Sequence, residues 1–294
     1  MGKRTRGQQI FAVFNALLMV LIIITCLLPL INVLAVSFSR QEAVAAGEVS
    51  LLPVGFTTVA YTTILKDRLF LRTFGNSLLR LLAGVPINLF LAITAAYPLS
   101  KNGNRLAFRQ GYVWFFVTTM LVGGGLIPTY LTIRALGLLG SFWALILPGA
   151  VSAYNMILLL NFFKTIPSEL EEAALIDGAG HWRILWGLYV PCSLPAIATL
   201  TLFFVVGHWN EWFSAQIYLN RTEQYPLQSY LQVLLTQSKN TQNLSLKELE
   251  ELAKVNNRTF NSAQIVLSTL PVLLVYPFLQ RYFVTGLTLG SVKG

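Results

Sequence analysis

The chain has 294 residues, of which 55% are hydrophobic and only 11% are charged, and its mean hydropathy is +0.62. Soluble domains carry about 25% charged residues, so this composition excludes an ordinary soluble enzyme and predicts a protein that crosses a membrane several times. The net charge of +9 is typical of basic residues at the ends of membrane helices. Nucleic-acid binding is not predicted, because the basic residues are dispersed and no platform of aromatic residues lies among them.

Six apolar stretches follow one another along the chain, each near the roughly 20 residues that a helix needs to cross a bilayer. The first follows a basic N-terminal segment and is much longer than the apolar core of a signal peptide, so it is predicted to be a retained helix. The loops are too short for separate domains, and residues 1–294 are predicted to form a single transmembrane domain. The predicted spans are 11–36, 74–99, 112–133, 141–163, 193–213 and 263–283.

Charge in the short loops predicts the orientation of these spans. The loop 100–111 contains three basic residues, whereas the loop 134–140 contains one. Basic residues concentrate on the cytoplasmic side of membrane proteins, so both termini are predicted to be cytoplasmic. The loop 164–192 is then also inside, and the two long loops, 37–73 and 214–262, are outside.

A short helix is predicted within the loop 164–192. Ser168 is predicted to cap its start in a capping box with Glu171, and Gly178 to end it in a left-handed conformation. Such a helix either enters a groove on a cytosolic partner or lies on lipid as a connector, and the residues alone leave both interpretations open. Its predicted small-residue face consists of Leu170, Ala173, Ala174 and Asp177.

The motif in this loop, Glu172-Ala173-Ala174-x-x-Asp177-Gly178-Ala179 followed by Pro191 and Pro195, resembles the EAA loop of ABC importer permeases. The resemblance implies an all-α polytopic membrane protein, with six transmembrane helices of the type I ABC importer permease fold and a cytoplasmic EAA coupling helix. Leu185 and Val190 depart from the family pattern at packing positions. The residues that the resemblance assigns to ATPase-subunit coupling are Glu172, Ala173, Ala174, Asp177 and Gly178.

Further segments, at 123–130, 143–149, 209–212 and 280–294, resemble the carbohydrate-uptake branch of these permeases. Within that branch they resemble the lipoprotein-linked, complex-sugar group related to the maltose-type second permease. The resemblance implies a bacterial inner-membrane heterodimer with a second homologous permease, two ATP-binding subunits and an extracytoplasmic solute-binding protein. The chain has no G-x-x-x-x-G-K-[ST] motif, so no catalytic residue or cofactor is predicted on it, and ATP and Mg²⁺ are expected on the partner ATPase.

Polar residues within the predicted spans are candidates for a substrate path, because such residues are costly in a membrane. A sugar needs hydrogen-bonding groups and aromatic faces, although the same residue types also join membrane helices by hydrogen bonds. Arg80 is expected to extend toward the outer membrane surface. No metal site is predicted from two histidines and two cysteines. The candidate substrate-path residues are Tyr154, Asn155, Asn88, His208 and Asn210.

Two alternatives to a sugar importer remain at this stage. One is an ABC permease for a non-sugar solute. The other is an ion-coupled secondary transporter, which needs intramembrane acidic residues and inverted repeats, and for which the predicted spans offer only Glu211. The loop 214–262, in which a surface helix is predicted over 245–255, has basic residues that hint at an acidic sugar such as a uronate or alginate oligomer. Acidic residues in the same loop nearly balance them.

Overall fold

A computed structural model describes residues 5–101, 106–237 and 258–291, and every regular element within them is helical. The chain divides into two compact units, one comprising Met1–Phe70 and Val233–Leu270, the other Leu71–Gln232 and Pro271–Gly294. The surface helix predicted over 245–255 lies outside the described residues. The single transmembrane domain stays a prediction.

The first unit contains a long apolar helix, α1, at Arg6–Ser37. It begins at a capping box in which the Gln8 amide donates to the Thr5 hydroxyl at 3.4 Å and the Thr5 amide to the Gln8 side chain at 3.0 Å. Most of its large apolar side chains are exposed, as in a helix that faces lipid. Two short helices follow, α2 at Gln41–Ala45 and α3 at Val59–Ile64.

The second unit is built around α4, Arg68–Ser100, most of which belongs to this unit. The buried residues of α4 recur at the spacing of one helix face and pack against those of α7, so that the two helices share a core with the segment before α11. The remaining helices are α5 (Arg109–Leu121), α6 (Leu126–Ala135), α7 (Ala153–Phe163), α8 (Ser168–Ile176), α9 (His181–Ile184), α10 (Val190–Cys192), α11 (Leu194–Asn210), α12 (Phe213–Tyr218), α13 (Leu227–Gln237) and α14 (Arg258–Ser291).

The prediction of one continuous helix over 112–133 is wrong. Helices α5 and α6 meet there at an angle of 115°. Gly125 has φ +80°, which L-residues rarely adopt, and a Cβ added at Gly125 would meet no atom within 4 Å. The backbone conformation of the break therefore requires this glycine, while the space around it would accommodate a side chain.

The other predicted spans differ less from the structure. Over 141–163, two 3₁₀ turns, Phe142–Leu145 and Leu147–Gly149, precede α7 at an angle of 47°, so this prediction of a single helix is also wrong. Helix α7 begins separately at its N-cap Ser152, whose hydroxyl accepts from the Asn155 amide at 3.4 Å. The predicted spans 193–213 and 263–283 correspond to α11 and α14.

By length and composition, α1 and α4 are each able to cross a membrane. Three bent pairs pass the same test when each pair is taken as one span. They are α5 with α6, the 3₁₀ turns 142–149 with α7, and 181–192 with α11.

Candidate functional site

The helix predicted in the loop 164–192 is present as α8, but its start differs from the prediction. Pro167, with φ −57° and ψ 135°, is the N-cap, and no side chain caps the helix. Ser168 already belongs to the helix, so the predicted capping box with Glu171 is wrong. Proline suits this place because it lacks the amide hydrogen that a helix start would leave unpaired.

The end of α8 agrees with the prediction. Gly178 has φ +76°. Its amide donates to the Leu175 carbonyl at 3.0 Å, and the Ala179 amide donates to the Ala174 carbonyl at 2.9 Å. These two bonds define a Schellman motif, which needs a left-handed residue where Gly178 stands.

The residues of α8 divide between two faces. Glu171 is 3% exposed and Ala174 packs against the core of the second unit. Glu172, Ala173 and Asp177 are exposed. The predicted small-residue face is therefore split, because the inward face runs through Glu171 and Ala174. Of the residues predicted for ATPase-subunit coupling, Glu172, Ala173, Asp177 and Gly178 are on the surface of the chain, and Ala174 is half-buried.

Glu171 is held by a buried ion pair that the sequence analysis missed. Its Oε2 lies 2.7 Å from Nζ of Lys101, which follows the last residue of α4, and the side chains are only 4% and 9% exposed. The Tyr189 hydroxyl donates to the same carboxylate oxygen at 2.8 Å. Sequence reasoning counted Lys101 only as a loop charge. The available signal was the spacing of Glu171 and Ala174, which places the glutamate on the inward face of α8.

Aromatic rings surround the ammonium group of Lys101. Its Nζ lies 3.9 Å from the ring centroids of both Tyr97 and Tyr189, a geometry in which the ring faces attract a cation. The Tyr97 hydroxyl is 3.2 Å from Nδ1 of His181 at the start of α9. We call these five residues, Tyr97, Lys101, Glu171, His181 and Tyr189, the Lys101 cluster.

Two cavities border the Lys101 cluster. One, of about 370 Å³, is largely apolar and is lined by Pro98, Leu106 and Trp182 among others. The other, of about 580 Å³, is polar and includes Lys164 and Glu172. Burial, together with the positive charge of Arg109, lowers the pKa of Lys164. Lys101 and Glu171 line both cavities, so the ion pair separates an apolar space from a polar one.

Two of the predicted substrate-path residues contact each other. The Asn88 side-chain amide donates to the carbonyls of Gly149 at 3.0 Å and Ala150 at 2.8 Å. Its oxygen lies 2.6 Å from Nε2 of His208, so Nε2 is the donor of that bond. Asn88 is 2% exposed, and this network joins α4, α11 and the segment before α7. The geometry favours a role for Asn88 in helix packing.

The other three predicted substrate-path residues differ in exposure. Tyr154 is 56% exposed and Asn210 is also exposed, whereas Asn155 is buried. Tyr154 and Asn210 therefore remain accessible to a solute or a neighbouring chain. Direct contact of any of the five with a substrate stays a prediction.

Arg80 is buried, contrary to the expectation that it extends toward the membrane surface. Its side chain is 4% exposed and lies 2.8 Å from Oε2 of Glu211. It also donates to the carbonyls of Glu211 and Leu145, each at 3.1 Å. The other oxygen of Glu211 accepts from the Ser214 amide at 2.7 Å. Both carboxylate oxygens of Glu211 are thus engaged, which leaves the ion-coupled alternative without the acidic residue it would have used.

The chain belongs to the family described as "Binding-protein-dependent transport system inner membrane component", which matches residues 7–288. It is therefore an inner-membrane permease subunit, and its fold is the type I ABC importer permease fold that the EAA motif predicted.

Three similar proteins refine this assignment. The chain is 41% identical over 282 residues to the polygalacturonan/rhamnogalacturonan transport system permease protein YtcP of Bacillus subtilis (strain 168), covering 96% of this chain and 97% of YtcP. It is 38% identical over 300 residues to the protein LplC of the same organism, covering 99% and 97%. It also matches a chain in the crystal structure of a bacterial ABC transporter involved in the import of the acidic polysaccharide alginate. That match has a TM-score of 0.86 and 35% identity, and it covers 96% of this chain and 100% of the other.

Proposed function

We propose that this chain is a permease subunit of an ATP-driven importer for acidic oligosaccharides. The similarity to a chain of the alginate transporter supports this most, since it extends over nearly the whole chain at 35% identity with a TM-score of 0.86. The similarity to YtcP, whose name refers to polygalacturonan and rhamnogalacturonan, points to the same chemical class. Alginate, polygalacturonan and rhamnogalacturonan are all polysaccharides that contain uronic acid residues.

The complete importer contains a second homologous permease, two ATP-binding subunits and an extracytoplasmic solute-binding protein. ATP and Mg²⁺ bind to the ATP-binding subunits. The exposed side of α8 is the docking surface for one of them, with Glu172, Ala173 and Asp177 at its centre and Ile176, 86% exposed, as an apolar contact. ATP-driven closure displaces α8, and the permease pair alternates between outward-open and inward-open states.

A basic cavity supports an acidic substrate. A polar space of about 600 Å³ is lined by Arg72 at the start of α4 and by the segment Asn220–Gln224, which includes Arg221 and Glu223. Arg72 and Arg221 are both exposed, and guanidinium groups bind carboxylates in a bidentate geometry. In the predicted orientation this cavity faces outward, where the solute-binding protein delivers the sugar.

The contacts within the second unit support the predicted number of crossings between residues 72 and 221, whereas the cytoplasmic side is assigned by the charge pattern alone. Lys101 and Glu171, which the charge pattern places inside, are in contact with each other. Arg72 and Arg221, which it places outside, line one cavity. A set of spans with the wrong number of crossings would separate the members of these pairs across the bilayer.

Reconstitution tests the proposal. The chain is purified with its companion permease, ATPase and solute-binding protein, inserted into liposomes, and assayed for uptake of labelled oligogalacturonate, oligoalginate and maltotriose. We expect ATP-dependent uptake of an acidic oligosaccharide only. Uptake of maltotriose alone would reject an acidic substrate. Uptake of none of the three oligosaccharides would favour a non-sugar solute. Uptake driven by an ion gradient without ATP would reject the assignment as an ATP-driven importer.

A further inference from the structure

The contact between α8 and the end of α4 consists of a charged pair with open space beside it. Lys101 and Glu171 line both the 370 Å³ and the 580 Å³ cavity. Continuous apolar packing therefore does not surround the pair at this point. Elsewhere α8 touches the core through small side chains, Ala174 and, just beyond its end, Ala179.

We propose that the Lys101 cluster transmits the displacement of α8 to α4, which makes Lys101 and Glu171 positioning residues for the coupling of ATP hydrolysis to transport. The proposal rests on the proposed function, because it requires an ATPase that moves α8. The exposed residues of α8 contact the ATPase, and the proposal adds a role for Glu171 on the opposite, buried face of α8 and for its partner Lys101.

The energetics of a buried pair make it suited to this role. Drawing Glu171 away from Lys101 breaks a contact between two buried opposite charges, which costs more than breaking a surface pair. When α8 moves, Lys101 follows, and α4 moves with it since Lys101 directly follows its last turn.

The displacement has a continuous route through α4. This helix contains 33 residues and carries Asn88 and Arg80 along its length. Asn88 is bonded to His208, and Arg80 is paired with Glu211 at the end of α11. A shift of α4 along its axis is therefore transmitted to α11 through two contacts, Asn88 with His208 and Arg80 with Glu211.

The rings of the cluster also determine which charge belongs on which helix. Tyr97 and Tyr189 present their faces to the group at residue 101, at 3.9 Å each. Ring faces attract cations and repel anions. We therefore expect that the exchanged pair, Lys101→Glu with Glu171→Lys, does not restore function.

The decisive experiment compares Lys101→Met, Glu171→Gln and the double variant in the assembled transporter. Each single variant leaves a buried charge without its partner and lowers the yield of assembled complex. The double variant removes both charges, and we expect its yield and melting temperature to return close to those of the wild type. Its ratio of ATP hydrolysed to oligosaccharide imported is expected to stay raised at least about fivefold.

This ratio separates transmission from a purely structural role. If the pair only stabilises the fold, the double variant recovers the wild-type ratio, and the proposal is overturned. Glu42→Gln is the control, because Glu42 is an exposed carboxylate on α2 and is not part of the docking surface on α8, and its ratio should be that of the wild type. An equal rise in the control would also overturn the proposal, since coupling would then respond to the loss of any carboxylate.

A second variant keeps the test open if the double variant does not assemble. Tyr189→Phe keeps the ring and removes the hydroxyl that donates to Glu171, and we expect intact assembly with a ratio raised at least about twofold. A wild-type ratio in this variant would count against transmission through the cluster. Loss of ATP-dependent uptake in the wild-type complex would instead refute the proposed function, so the two failures are distinguishable.

Discussion

At the scale of single residues, the buried charges in α4 and directly after its last residue are neutralised by partners far away in the sequence. Arg80 is paired with Glu211 and Lys101 with Glu171. Because an isolated charge in a protein interior is very costly, each pair constrains which elements lie beside α4. Asn88 acts in the same way through neutral hydrogen bonds to His208 and two carbonyls.

Arg80→Met tests the first of these pairs. The variant leaves the half-buried carboxylate of Glu211 without its cation, and we expect the free energy of unfolding to fall by about 1–3 kcal/mol. The melting temperature of the purified protein in detergent measures the loss. Arg72→Met is the control, because Arg72 is exposed, and a loss as large in that variant would contradict the assignment.

Gly84→Ala tests the close approach of α4 to His208. A Cβ at residue 84 would lie 2.6 Å from Nε2 of His208, so the imidazole must shift and weaken its bond to Asn88. We expect a loss of about 1–3 kcal/mol in stability, seen as a lower melting temperature. Gly75→Ala in the same helix meets no atom within 4 Å, and there the substitution should be neutral or stabilising.

At the scale of elements, glycine and proline determine where the apolar stretches stop being helices. The break between α5 and α6 occurs at Gly125, whose backbone is in a region open almost only to glycine. Helix α8 begins after Pro167 and ends before Gly178. Both ends are thus determined locally, whereas the inward face of α8 is determined by Lys101.

Gly125→Ala tests the conformational requirement at the break. With φ +80° and ψ 175°, alanine is strained there, and we expect a loss of about 1–3 kcal/mol in stability. Thermal unfolding of the purified chain is the measurement. Gly123→Ala serves as the comparison, since its φ is not positive and an added Cβ meets nothing within 4 Å. Equal effects of the two variants would show that the backbone angle at Gly125 is unimportant.

At the scale of the whole molecule, the family assignment defines an inner-membrane permease that works with a binding protein. The proposed orientation puts the loop 37–73 outside and the loop 100–111 inside. Each loop offers a highly exposed side chain, with Leu52 at 78% and Phe108 at 87%.

Cysteine labelling tests this orientation directly. In a chain whose Cys26 and Cys192 are replaced by serine, we introduce Leu52→Cys or Phe108→Cys separately. A membrane-impermeant maleimide applied to intact spheroplasts should label residue 52 and not residue 108, because only the first is predicted to face outward. Labelling of residue 108 alone would show that the orientation is the opposite of the predicted one. As a control, both residues should react once the membrane is permeabilised.

The sequence alone determined the class of the protein, the presence of a short helix within the loop 164–192 and the turn at Gly178, because apolar length, charge and glycine act over a few neighbouring residues. The EAA motif likewise predicted the family that the comparison confirmed. Only the tertiary structure decided the roles of Arg80, Asn88, Lys101 and Glu171. Their partners lie far along the chain, and a buried polar side chain takes its function from the group that neutralises it, which no local pattern specifies. The break at Gly125 depends on both, since the sequence shows the glycines but only the structure shows the 115° angle between α5 and α6.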